Sequence, residues 1–167
     1  MFNNEGRIVI LSRKSRYGLR ALIDLGMNSE NGRISLSSIA ERNRISSQYL
    51  EQIFASLRRA GIIQSVKGSQ GGYYLAKDPS EITVAEILHA LDGAYHIEPE
   101  KSLDDGIAQT VQVCVIERLN EAFDNILEEE TLAGLIAYYS EHHVNADDMY
   151  YIREDTEDTG APTEKID

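Results

Sequence analysis

The polar side chains Ser47, Gln48, Glu51 and Gln52 recur at helical spacing, and Arg59 lies further along the same side. Groups of this kind read a surface of hydrogen-bond donors and acceptors: a glutamine amide pairs through two bonds with adenine, and a carboxylate accepts from the cytosine amino group. The same side would equally serve as the solvated face of an amphipathic helix. Downstream, Lys67 precedes Gly68, Gly71 and Gly72. Glycines there let a hairpin tip take positive φ and bring its backbone against a phosphate or into a narrow minor groove, and Lys67 supplies charge. A tip that only turns would need the same glycines. Upstream, Arg13, Lys14 and Arg16 crowd a helix start, where cations oppose the helix dipole unless an anion such as a phosphate backbone sits nearby.

The elements that would position these groups are legible from caps and periodicity. Ser12 caps a first helix in which Tyr17, Ala21, Leu22 and Leu25 share a side, and Asn31-Gly32 marks a turn. Ser35 caps a short helix burying Leu36, Ile39 and Ala40, and Asn43-Arg44-Ile45 breaks it before Ser46 caps another. In that third helix Leu50, Ile53, Phe54 and Leu57 fall at i, i+3, i+4 and i+7, with Gly61 as its stop. The period then becomes alternating. Residues 63–67 and 73–76 read as strands joined by residues 68–72, so that a helix pair with a tight break is followed at once by a β-hairpin, the pattern of a winged helix-turn-helix.

Beyond the hairpin, Thr83 to Glu86 reads as a capping box opening a helix that carries Val84, Ile87, Leu88 and Leu91 and closes at Gly93. A loop is expected over residues 93–106. A long helix then presents Ile107, Val111, Val115, Leu119, Phe123 and Ile126 as an apolar stripe longer than a small core needs, which predicts packing on the same helix of a second chain. A last short helix groups Leu132, Leu135, Ile136 and Tyr139. The expected fold is mainly α with a small β-hairpin: a winged helix-turn-helix over residues 9–92, and a dimerisation helix with a C-terminal helix over residues 107–152. The acidic tail, residues 153–167, is expected to be disordered.

Charge is divided unevenly along the chain. The net charge of -12 conceals an opening stretch, residues 1–77, with twelve Lys or Arg against five Asp or Glu; the remainder has four against twenty-three. Only the first stretch is a plausible polyanion surface. No apolar run is long enough to span a bilayer and the first residues lack a signal peptide's apolar core, so a cytoplasmic protein is expected. Enzyme signatures are missing: there is no P-loop, nucleophile elbow or HExxH. The adjacent His142 and His143 cannot point the same way on a helix, and His89 reads as packing or capping. One cysteine, Cys114, rules out an internal disulfide and cysteine-based metal chemistry; between Val113 and Val115 it reads as a small buried hydrophobe. No metal or cofactor is expected.

The string from Tyr49 to Gly61, YLEQIFASLRRAG, followed by Ser65-Val66-Lys67-Gly68 and Gly71-Gly72-Tyr73, resembles the IscR/CymR-type family of bacterial winged-helix transcription regulators. The resemblance extends from about Val9 to Tyr151. It implies a homodimer on double-stranded DNA with an inverted-repeat operator, with Gln48 and Glu51 reading bases and Lys67 replacing a wing arginine that enters the minor groove. Tyr49 and the basic start of the first helix become backbone contacts. Many members hold an iron-sulfur cluster on three cysteines; this chain has none from Asp92 to Val113, which is more similar to the cluster-free, cysteine-metabolism branch. In that branch the implied partner is the enzyme cysteine synthase. Two other readings stay open: a regulator binding a small metabolite near His89 or Tyr95, and an interaction module that has lost DNA.

Overall fold

The computed structural model describes residues 11–29, 32–68, 71–93, 95–99 and 105–142. The expected acidic tail, His143 and the residues on to Ile152 lie outside these. Three helices open the chain: α1 (Arg13–Asn28), α2 (Leu36–Asn43) and α3 (Ser47–Arg59). Each starts on a serine, as its sequence requires: the hydroxyls of Ser12, Ser35 and Ser46 accept from the backbone N–H groups of Ser15, Ser38 and Tyr49. α2 ends with Arg44 in the left-handed conformation (φ 53°), which turns the chain sharply into α3.

Strands β1 (Ile63–Val66) and β2 (Gly72–Leu75) pair antiparallel, Ile63 opposite Leu75 and Val66 opposite Gly72. Each strand ends one residue earlier than the alternation predicts, and β2 also begins one earlier. Ile34 adds a further rung to the outer edge of β2: its N–H donates to the Tyr73 carbonyl at 3.0 Å and Tyr73 N–H donates back at 2.8 Å. The hairpin is thereby fastened to the chain just ahead of α2.

α4 (Val84–Asp92) follows a short 3-10 turn over Pro79–Glu81. Thr83 caps it, but the expected capping box does not close. Glu86, which would reach back to the cap, instead takes the Lys77 ammonium at 2.6 Å, and the reciprocal box is found one turn earlier, between Asp78 and Glu81. Gly93 (φ 80°) ends the helix.

The long helix is continuous from Gly106 to Glu129 but not uniform: α5 (Gly106–Val111) leads through a π-helical turn (Gln112–Glu117) into α6 (Arg118–Glu129). Ile107, Val111, Val115 and Leu119 are spaced by four throughout, and on a regular helix each such step drifts by about 40° around the axis. The wider turn absorbs one extra residue and brings the stripe back into line. α7 (Leu132–His142) returns to α1, where a Cβ on Gly26 would come 2.5 Å from Ile136 Cδ1. The α6–α7 corner is bonded to the start of α4: Val84 N–H donates to the Glu130 carbonyl at 2.9 Å, and Leu132 N–H to that of Ile82 at 2.8 Å.

One core unites these pieces. Leu22 and Leu25 of α1, Ile39 of α2, Leu50, Ile53, Phe54 and Leu57 of α3, and Ile62, Ile63, Ile82, Ile87 and Leu132 are fully buried together. Each such side chain contributes about 1.5 to 3 kcal/mol relative to exposure. Of the apolar side expected on α7, Leu132 is buried and Leu135 and Ile136 are not fully so, whereas Tyr139 is exposed.

Candidate nucleic-acid interface

α3 divides cleanly. Leu50, Ile53, Phe54 and Leu57 lock one side into the core at zero exposure, and this fixes which residues face out. Ser47, Gln48, Glu51 and Gln52 are all exposed on the first two turns. They are available to an outside partner. Arg59, at the far end of the helix, folds back on Ala55 O (3.4 Å) and the Ser56 hydroxyl (3.3 Å) while staying exposed, and Arg58 reaches Ser65 of β1 at 3.3 Å.

Tyr49 is half-buried and meets Tyr17 edge to face, centroids 5.9 Å apart. Arg13 and Arg20 lie over the Tyr17 ring at 6.0 and 5.6 Å, and Arg20 also donates to the Asn43 carbonyl at 3.3 Å. The ring thus gathers two guanidinium groups of α1 beside the start of α3. Sequence reasoning missed Arg20, although an aromatic residue with arginines at i-4 and i+3 is a readable one-face pattern. It also missed Arg33 and Arg44, both exposed, whose placement depends on a turn and on a left-handed residue rather than on any periodicity. Arg16 is exposed on α1.

Lys14 goes elsewhere. Its ammonium is half-buried and donates to the Leu91 carbonyl at 2.7 Å and the Ser56 hydroxyl at 3.1 Å, so it bridges α4 and α3 inside the fold. Beside it, Ser12 and Ser15 donate to the two Asp92 oxygens at 2.6 Å each.

In the hairpin, Lys67 and Gly68 are exposed, and Gly68 takes φ 117°. Gly71 N–H donates to Gly68 O at 2.9 Å, which tightens the tip. Gly72 is needed for a different reason: a Cβ there would lie 2.8 Å from the Ile34 carbonyl oxygen.

On the long helix, Ile107, Val111, Val115, Leu119 and Ile126 are exposed, Ile107 by 79% and Ile126 by 64%, while Phe123 is half-buried. Cys114 is exposed with them, which corrects the expectation of a buried thiol; Val113 and Val115 beside it are exposed too, because this face is left open by its own chain. The linker runs along the same helix. Ile97 exchanges bonds with the Asn120 amide (2.8 and 3.1 Å), and Tyr95 Oη (3.0 Å) and His96 Nε2 (2.7 Å) converge on Asp124 Oδ1. The bond with His96, joined by the one from Tyr95, holds the Asp124 carboxyl below the usual aspartate value, and burial and Asp124 raise the Tyr95 phenol.

A three-helix unit with an exposed polar row on its third helix, followed by a glycine-tipped hairpin, defines a winged helix-turn-helix transcriptional regulator. Residues 11–138 match the Rrf2 profile, described as an iron-dependent transcriptional regulator, and the chain belongs to the Rrf2 family. It is 37% identical over 128 residues to the HTH-type transcriptional regulator CymR of Bacillus subtilis, covering 77% of this chain and 90% of that protein. The HTH-type transcriptional regulator IscR of Klebsiella pneumoniae is also 37% identical, over 130 residues, 75% of this chain and 78% of that one. The solved structure of CymR, the global cysteine regulator of B. subtilis, superimposes with a TM-score of 0.66, covering 77% of this chain and 96% of that one. That of T. potens IscR gives 0.65 at 35% identity, over 84% and 96% of the two chains.

The kinship makes the chain a DNA-binding regulator rather than an enzyme. An iron-sulfur cluster, one form the iron of the family description could take, does not fit the residues present. A cluster needs several thiolates, the sequence has one cysteine, and among the described residues no three His, Cys, Asp or Glu side chains gather to hold a metal ion. Among those residues no helix is long and apolar enough to cross a membrane.

Proposed function

We propose that this protein is a homodimeric, cytoplasmic repressor that binds an inverted-repeat operator without an iron-sulfur cluster, and that it controls genes of cysteine or sulfur metabolism. The observation that carries the DNA half of this reading is the exposed row Ser47, Gln48, Glu51 and Gln52 on a helix whose opposite side is wholly buried. That arrangement offers its N-terminal turns to base edges in a major groove. The dimer is supported by the exposed stripe from Ile107 to Ile126, aligned by the π-helical turn and apolar beyond what a lone protomer needs. The metabolic role is supported by similarity to the B. subtilis cysteine regulator and by the lack of cluster ligands in this chain, and cysteine synthase is the partner that the resemblance implies.

Genome-wide footprinting with the native protein, with and without cysteine synthase, tests the whole reading. Protected sites beside sulfur-assimilation genes, altered by the enzyme, are expected. Sites elsewhere would remove the metabolic role, and no sites at all would leave an interaction module.

A second reading has its own observation. The linker residues Tyr95 to Ile97 are hydrogen-bonded to α6, so a small metabolite that displaced them would act between the winged unit and the dimer helix. A rise in melting temperature with cysteine or a related amino acid would favour it.

A further inference from the structure

Beside the hairpin lies an open groove of about 720 Å3, walled by Arg33, Ser35, Ser38, Arg42 and Gly71. Its position follows from the rung that Ile34 makes with Tyr73, which lays residues 33–35 along the outer edge of the hairpin and leads them straight into α2. Gly71, in the wall, belongs to the hairpin tip, so the groove is continuous with the part of the molecule that would enter a minor groove.

Among the described residues the lining contains cations and hydroxyls and no carboxylate. Arg42 is already committed, held by Asp24, whose second oxygen also takes the Asn43 amide at 2.8 Å. Arg33 is different. It is exposed and has no partner among the described residues. Ser35 and Ser38 share a hydrogen bond of 2.7 Å at the head of α2, leaving hydroxyl capacity toward the groove.

We propose that this groove seats a phosphodiester of the DNA strand flanking the hairpin, with Arg33 as its cation and the Ser38 hydroxyl as a neutral donor. The inference rests on the DNA-binding reading above and adds to it a contact outside both the base-reading row and the tip. A hairpin in a minor groove is bordered on each side by a sugar-phosphate strand, and this groove lies along one border. A planar, permanently charged guanidinium suits a phosphate that must be held without regard to sequence.

The probe is a random-sequence duplex, since a backbone contact is blind to sequence. Binding of the full chain is measured by anisotropy over a range of salt, for the native protein, Arg33→Ala, Arg33→Lys and Arg33→Glu. Every phosphate no longer neutralised flattens the slope of log affinity against log salt by about 0.9, so Arg33→Ala should lose about one unit per engaged protomer and bind about three- to tenfold more weakly at low salt. Arg33→Lys should restore most of the slope, and Arg33→Glu should exceed the alanine effect. Melting temperatures should be unchanged, since Arg33 is exposed and makes no bond to the described residues. An unchanged slope in both Arg33→Ala and Arg33→Glu overturns the groove while leaving the DNA reading intact; a native protein that binds no duplex ends both. If inorganic phosphate raises the melting temperature of the native protein but not of Arg33→Ala, and duplex binding is equal, the groove holds a free anion and the proposal is wrong.

Discussion

The Lys14 ammonium sits 2.7 Å from the Leu91 carbonyl oxygen, in the last turn of α4, and so ties the first helix to the point where the chain departs toward the long helix. It is a cation placed at a helix C-terminus, where the dipole favours it. Its second bond, to Ser56, fastens the inner side of α3. A lysine in a run of basic residues is therefore part of the frame, while Arg13 and Arg16 beside it remain exposed.

Replacing Lys14 by methionine keeps the apolar stem and removes the two bonds. Hydrogen bonds to a charged group contribute about 1.5 to 3 kcal/mol, so a stability loss of that order is expected in chemical denaturation. The salt slope for random DNA should not change. A flattened slope with native stability would return Lys14 to the DNA surface.

For base reading, Gln48→Ala should cost about 1 to 3 kcal/mol on the operator and almost nothing on random DNA. Lys67→Ala should weaken both alike and flatten the salt slope by about 0.9 for each phosphate it releases. Titrations of the two variants on both duplexes distinguish the roles, and equal losses on both duplexes for Gln48→Ala would take it out of base readout.

Leu119 is 42% exposed in the middle of the aligned stripe. Leu119→Arg puts a charge where a second chain is expected to bury apolar surface, so sedimentation should show a monomer and operator affinity should fall by more than about tenfold, since paired half-sites are no longer held together. A variant that stays dimeric would move the interface elsewhere.

The Asp124 carboxyl is held below the ordinary aspartate value, first by its bond with His96 and then by Tyr95. A depressed folded value means the contribution is present above the unfolded value of about 3.9 and is lost as pH falls through the lower folded one. The native protein should therefore melt above Asp124→Asn at neutral pH, and the two curves should converge below about pH 4. Parallel curves down to strong acid would show that the linker bonds do not stabilise the fold.

The three serine caps, the buried side of α3 and the hairpin could be read directly, because each depends on neighbours within a turn or a strand pair. The outward row on α3 followed from knowing its inward one. What escaped were features set by distant partners. Lys14 turns inward because Leu91, 77 residues away, offers a carbonyl, and Arg33 borders a groove only because Ile34 pairs with Tyr73. Cys114 looked buried from its valine neighbours, yet the protomer by itself leaves that apolar face open.

The wide turn between Gln112 and Glu117 makes the chain unusually tolerant of length at that place. Because the turn absorbs one extra residue, deleting one there would let the backbone relax into an ordinary α-helix at little local cost and leave everything downstream on nearly the same bearing. The same deletion in the regular part of α6 ahead of Leu119 would swing all that follows by about 100° around the axis, so that Ile107 and Leu119 point to different neighbours. The arm therefore carries a built-in place where a codon can be lost without turning its apolar stripe.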